Sequence, residues 1–243
     1  MIVAIIPVRL ESSRLPQKAL KEIEGLPMII HTMKRTQLAS SLDEVYIATD
    51  NAIISDLVKK HGGKVIMTSK NHKTGSDRIA EAAEKIDAEI IVNVQGDEPL
   101  VRPEHIDAGV NAIKNSEISV SILLTKFSKK NSPSDIKAVI NKKNEILYLS
   151  RADIPSIARH DHNDFLKAYH VVSFRKQFLM EYSRLQRSSL ESIEYNEYLR
   201  ILENGNKIQG VIVKSNAISV DTTDDLKYVK KLMLKDTLKH KYL

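Results

Sequence analysis

The chain has no cysteine, so a disulfide framework and thiolate metal sites are excluded, and a reducing compartment is compatible with it. Aromatic residues make up only 5%, which leaves little for the base-stacking platforms of single-stranded nucleic-acid binders. No stretch approaches the roughly 18–20 apolar residues of a membrane span. The opening "MIVAIIPVRL" lacks a basic leader before its apolar run, which stops at Pro7, so it reads as a first strand and not a signal peptide. Phosphate-loop and dinucleotide glycine signatures are missing as well. There is no internal repeat and no low-complexity linker.

What is present is a globular composition, 42% hydrophobic and 28% charged, over 243 residues. The net charge of +6 admits a nucleic-acid partner, but the basic residues are scattered along the chain. An anionic small substrate accounts for the charge equally well. Strand-like runs ("IVAIIP", "EVYIATD", "KVIMT", "EIIVNV") alternate with helical ones ("PMIIHTMKRTQLAS", "NAIISDLVKKHGG", "GSDRIAEAAEKI"), which predicts an α/β fold, a mostly parallel sheet with helices on both faces. From about residue 117 the rhythm changes to longer, partly antiparallel strands, then "LESIEYNEYLRILENG" as one helix, the strand "KIQGVIV" and a C-terminal helix. The expectation is a single domain over residues 1–243 carrying an inserted β-rich subdomain at about 125–205.

Three segments carry chemistry. "VNVQGDEPLV" ends an apolar strand with Gln95, Asp97 and Glu98, where an open α/β sheet binds its ligands; a solvated turn is the plainer alternative. "PVRLESSRLPQKAL" places Arg9, Arg14 and Lys18 within ten residues, with Ser12 and Ser13, in a loop without apolar periodicity. Backbone N–H groups, hydroxyls and cationic heads in such a loop suit phosphate, although it could also be merely solvated. In "ISVDTTDDL", Asp221 either joins Asp97 around a hard cation or serves as the N-cap of the last helix. Mg²⁺ is usually held by one or two carboxylates plus substrate phosphates. Basic loop, paired aspartates and α/β sheet together describe a nucleotidyltransferase.

The ordered set "IIPVRLESSRLPQKAL", "PMIIHT", "VYIATD", "KTGSDRIAE", "IVNVQGDEPLV", "YLSRADIP", "LRILENG" and "VDTTDDL" resembles the 3-deoxy-manno-octulosonate cytidylyltransferases over nearly the whole chain. The resemblance implies a Rossmann-like nucleotidyltransferase fold. It implies Mg²⁺-dependent transfer of CMP from CTP to the anomeric hydroxyl of a 2-keto-3-deoxy sugar acid, with release of pyrophosphate. It also implies a cytoplasmic homodimer serving lipopolysaccharide or capsule synthesis, with no nucleic-acid or membrane partner. Carried over by position, Arg9, Ser12, Ser13, Arg14, Lys18, Ser76, Asp77 and Arg78 bind CTP. Asp97 and Asp221 hold the metal, and Gln95 and Glu197 contact the sugar acid.

The departures fall in two places. Gln17 and Ala19 stand in "LPQKAL" where the family has glycine and proline, so Gln17 is strained if that position has φ > 0. The family's sugar-contacting histidine, tyrosine and glutamine fall at Ala168, Val172 and Tyr198. His170, two residues along the strand from Ala168, is the substitute sugar ligand or else a core histidine. These changes point to an altered sugar pocket and a modified acid, such as an amino-bearing one or a nonulosonic acid. A catalytically inactive nucleotide-binding regulator is the rival that Gln17 raises.

Overall fold

The computed structural model describes residues 1–243 except Ser13, Lys73, Asp161, Asn163, 215–217 and the side chain of His170. The expectations for Ser13 and for the His170 side chain therefore lie outside the described residues. Strand β1 (Ile2–Val8) leads through a 3₁₀ turn at Lys18–Leu20 to the short β2 (Glu22–Ile23) and β3 (Leu26–Pro27). Then come α1 (Met28–Thr36), β4 (Glu44–Thr49), α2 (Ala52–Lys60), β5 (Lys64–Met67), α3 (Gly75–Glu84), β6 (Ile90–Val94) and α4 (Pro103–Lys114). Strands β7 (Val120–Phe127), β8 (Lys137–Ile140), β9 (Ile146–Ser150) and β10 (Phe165–Arg175) follow. After them run α5 (Lys176–Ser183), α6 (Ser189–Glu194), α7 (Leu199–Glu203), β11 (Gln209–Val213) and α8 (Thr223–Leu234). A 3₁₀ turn at Thr237–Lys241 comes last.

The chain forms two compact units: Met1–Asp107 with Asn216–Leu243, and Ala108–Ser215. The second reaches beyond the expected 125–205 on both sides. In the first unit β6, β1, β4 and β5 lie side by side, all parallel. Apart from Ile2 at the start of β1, the Val and Ile residues of β1 and β6 are buried, as strands covered on both faces require. The chain steps outward from β1 to β4 to β5, then returns to place β6 on the far side of β1. That reversal makes a topological switch point between β1 and β6, whose carboxyl ends are the expected ligand crevice.

Local signals set the helix ends. Asn51 caps α2 by accepting from the N–H groups of Ile53 and Ile54. Thr74 and Asp77 form a capping box on α3, and Thr222 and Asp225 form another on α8. The cap of α8 is therefore Thr222, which releases Asp221 from the capping role. Helix α8 buries Leu226, Val229 and Met233 against Leu15, Ile23, Met28, Leu100 and Val220, so its apolar face supports the loops after β1 and β6.

In the second unit β7 pairs antiparallel with β10 and parallel with β11, and the β8–β9 hairpin extends from β10. The expected single helix over 190–205 is two, α6 and α7. Tyr195 takes a left-handed conformation (φ 51°) at the end of α6, which turns the chain. The break lets Arg200 on α7 reach back to Glu191 on α6 through Nε–Oε2 (2.8 Å) and Nη2–Oε1 (2.7 Å) contacts, a buried bidentate pair. One continuous helix cannot bring residues nine apart into that geometry.

Candidate active site

The loop after β1 turns sharply at Gln17, whose φ of 51° and ψ of 38° are left-handed. Without glycine here the backbone carries the strain anticipated for that position. The turn delivers Lys18 to the carboxyl end of β6. Its ammonium donates to Asp97 Oδ2 at 2.6 Å and to Asp221 Oδ1 at 3.0 Å. Arg14 Nη2 lies 3.0 Å from the same Asp221 oxygen. Burial alone pulls the Lys18 pKa down, but the two carboxylates more than offset it and hold the ammonium above its ordinary value.

The two aspartates reach this point by different routes. Asp97 follows Gly96 in the turn after β6, and a Cβ on Gly96 would stand 2.9 Å from Val8 Cγ2 and 3.2 Å from the Pro7 carbonyl. Only glycine lets this turn pass so close to the end of β1. Asp221 comes in from the segment before α8, which the Val220 N–H fastens to the Asp97 carbonyl at 2.9 Å. Glu98, the second acid of "GDEP", is buried and accepts from the Ser219 hydroxyl. The neighbouring acids thus divide their work: Asp97 faces the site, and Glu98 braces the segment that carries Asp221.

A cavity of about 310 Å³ opens here, lined by Arg9, Ser12, Arg14, Lys18, Gln95, Asp97 and Asp221 among others. Seven residues singled out from sequence thus share one wall system. Ser76, Asp77 and Arg78 do not line it; they form the first turn of α3. Asp77 spends a carboxylate oxygen on the Thr74 N–H. Arg78 is buried, donating from Nη1 to Thr68 Oγ1 at 2.6 Å with Asp50 Oδ1 at 3.4 Å, while its Nη2 and the Ser76 hydroxyl find no partner among the described residues. Burial, helped by the nearby Arg9 charge and opposed by Asp50, lowers the Arg78 pKa. Arg9 itself donates to the His72 carbonyl. Two buried donors left open beside a phosphate-suited loop are an arrangement that sequence reading of Ser76 and Arg78 did not foresee.

Glu197 and Tyr198 belong to the second unit. The Glu197 carbonyl accepts from the Tyr182 hydroxyl at 2.9 Å. Tyr198 is buried, its ring 6.5 Å from that of Phe174. Burial first, and the Glu197 charge second, push the Tyr182 hydroxyl well above its ordinary pKa. Ala168 is buried on β10 opposite Leu124 of β7.

Asp97 and Asp221 fit a divalent cation. Both present an oxygen within 3.0 Å of one nitrogen, so the carboxylates already converge on a positive charge. Among the described residues no group of three or more His, Cys, Asp or Glu forms an all-protein cage. Two hard oxygen donors at an open cavity are what a magnesium site completed by phosphate oxygens asks of a protein. No helix of the described residues is long and apolar enough to cross a membrane.

A family model described as cytidylyltransferase matches residues 3–208. The chain is 41% identical over 248 residues to the 3-deoxy-manno-octulosonate cytidylyltransferase of Geobacter metallireducens, covering 95% of this chain and 97% of that one. It is 38% identical to the enzyme of the same name from Fusobacterium nucleatum, covering 97% and 98%. A CMP:2-keto-3-deoxy-manno-octonic acid synthetase solved in complex with CTP superposes with a TM-score of 0.92 at 35% identity, over 96% of this chain and 98% of that chain. An inositol-1-phosphate CTP transferase from T. maritima shares the fold, with a TM-score of 0.66 at 16% identity and coverage of 97% and 96%.

Proposed function

The chain belongs to the 3-deoxy-manno-octulosonate cytidylyltransferase family, and from that premise we propose that it activates such a sugar acid with CTP in the cytoplasm. The observation that carries the reading is Lys18 held between Asp97 and Asp221 at the switch point of the parallel sheet. The anomeric hydroxyl attacks the α-phosphorus of CTP and loses its proton to solvent, the bond from that phosphorus to the bridging oxygen breaks, and pyrophosphate leaves. Arg9, Arg14 and Lys18 neutralise the triphosphate and the departing pyrophosphate, and the Ser12 hydroxyl adds a donor. Gln95, at the end of β6 and lining the same cavity, orients the acceptor. Asp97 and Asp221 are the residues that would hold Mg²⁺, whose chemistry there is to neutralise phosphate charge and acidify the attacking hydroxyl. Ser76 and Arg78 offer their open donors to the nucleotide.

The name shared by the relatives supports 3-deoxy-manno-octulosonate as the acceptor, whereas the modified acid rests on the changes at Ala168, Val172 and Tyr198 alone. A homodimer formed through the second unit is the assembly we favour. Ile193 and Tyr195, each 76% exposed, and Leu147 at 57% are among the large apolar side chains that unit offers to a partner copy.

Pyrophosphate release from CTP, Mg²⁺ and 3-deoxy-manno-octulosonate tests the function. Asp97→Asn is expected to lower kcat/KM by on the order of 10³ with little change in melting temperature. Near-wild-type release by that variant would refute the metal assignment. A wild-type preference for 8-amino or nonulosonic acids would refute the acceptor.

A further inference from the structure

The ammonium of Lys18 lies where a cation shared by two carboxylates has to lie. It is 2.6 Å from Asp97 Oδ2 and 3.0 Å from Asp221 Oδ1, and Arg14 adds a second positive charge 3.0 Å from that Asp221 oxygen. The two negative charges are thus matched by two cations of the chain's own. A divalent ion approaching the same oxygens meets an ammonium already in place, and like charges at that separation exclude each other. Lys18 also lines the cavity with Arg9 and Ser12, and its charge sits on a flexible four-carbon stem. An arriving triphosphate offers this ammonium a more highly charged partner within the cavity it already lines.

Resting on the reading of Asp97 and Asp221 as the magnesium residues, we infer that Lys18 is an exchangeable internal counter-ion. It holds the carboxylate pair together before substrate arrives. It passes to the triphosphate when nucleotide binds, and in leaving frees the carboxylates for the metal. Nucleotide and divalent cation therefore assist each other's binding, and the cation alone competes with Lys18. By reciprocity, each tightens the other's binding by the same factor.

The test measures binding of Mn²⁺ alone, by calorimetry or paramagnetic relaxation, to wild-type protein and to the Lys18→Met, Lys18→Gln and Asp97→Asn variants without nucleotide. Melting curves establish which variants are folded, and the two Lys18 substitutions back each other up. Removal of the ammonium is expected to tighten Mn²⁺ binding at least tenfold, whereas Asp97→Asn weakens it. If both Lys18 variants bind Mn²⁺ no more tightly than wild type while Asp97→Asn loses it, the metal site stands and the exchange is refuted. If Asp97→Asn binds Mn²⁺ as wild type does, the metal reading fails and takes this inference with it.

Discussion

Replacing Gln17 by glycine should stabilise the protein, against the usual cost of adding glycine. Gln17 is exposed and sits at φ 51°, ψ 38°, so its side chain contributes little packing while its Cβ crowds the following carbonyl. Relief of a left-handed non-glycine residue is worth about 1–2 kcal/mol. Glycine gives back about 0.5–1 kcal/mol through the greater freedom of the unfolded chain. The balance is a gain of about 0–1.5 kcal/mol, which for a chain of this length raises the melting temperature by roughly 0–6 °C. Alanine at the same position keeps the Cβ and the strain, so Gln17→Ala isolates loss of the side chain and should stay within about 0.5 kcal/mol of wild type. Denaturant titration of the three proteins side by side measures both differences. If Gln17→Gly is no more stable than Gln17→Ala, the turn is not strained at Gln17 and the argument is wrong.

Two further outcomes follow from other parts of the molecule. His31 is fully buried, donating from Nε2 to the Ile23 carbonyl and accepting at Nδ1 from the Tyr242 hydroxyl; burial lowers its pKa, opposed by the Ile23 contact and assisted by Arg35. The unfolded chain therefore takes up a proton near pH 6.5 that the folded one refuses, so stability should fall below that pH by at most about 1.4 kcal/mol per pH unit from this group. His31→Gln should flatten the fall, and an unchanged pH profile in urea titrations would dismiss His31 as its source. For the assembly, light scattering at micromolar concentration should give the mass of two chains, and Tyr195→Glu should halve it; a monomer mass for wild type would remove the dimer.

The parallel half of the fold was legible because its strands are short β-branched runs closed by Gly, Pro or Asp. The clustering of the candidate site was legible because its charged residues stand where those runs stop: Arg9 after β1, Asp97 after β6, Asp221 after Val220. Asp221 remained ambiguous only while its neighbour Thr222 and the capping pair Asp225 were unplaced. Helices α4 and α5 were not foreseen. The first opens with "PEHIDAGV", in which a glycine and a histidine dilute the apolar stripe, and the second is only eight residues long. The break at Tyr195 was hidden for another reason: it depends on the pairing of Glu191 with Arg200, a tertiary contact that overrides local helix propensity. The burial of Arg78 and Glu98 was likewise set by Thr68 and Ser219, partners outside any local window.

Lys18 and Asp221 touch across 203 residues of sequence, with the whole of the second unit strung between them. On the ribosome, the loop after β1 and the turn after β6 emerge long before the segment that carries Asp221. For that interval Lys18 has one carboxylate to hold instead of two. The closing segment then has to find its place beside Asp97 after the intervening unit has been made, a late and long-range step of the kind that slows folding. Chains stalled anywhere between Asp97 and Asp221 would carry the triphosphate loop but lack half the carboxylate pair. If Asp97 and Asp221 share the metal as proposed, competence for nucleotidyl transfer is withheld until translation has passed Asp221.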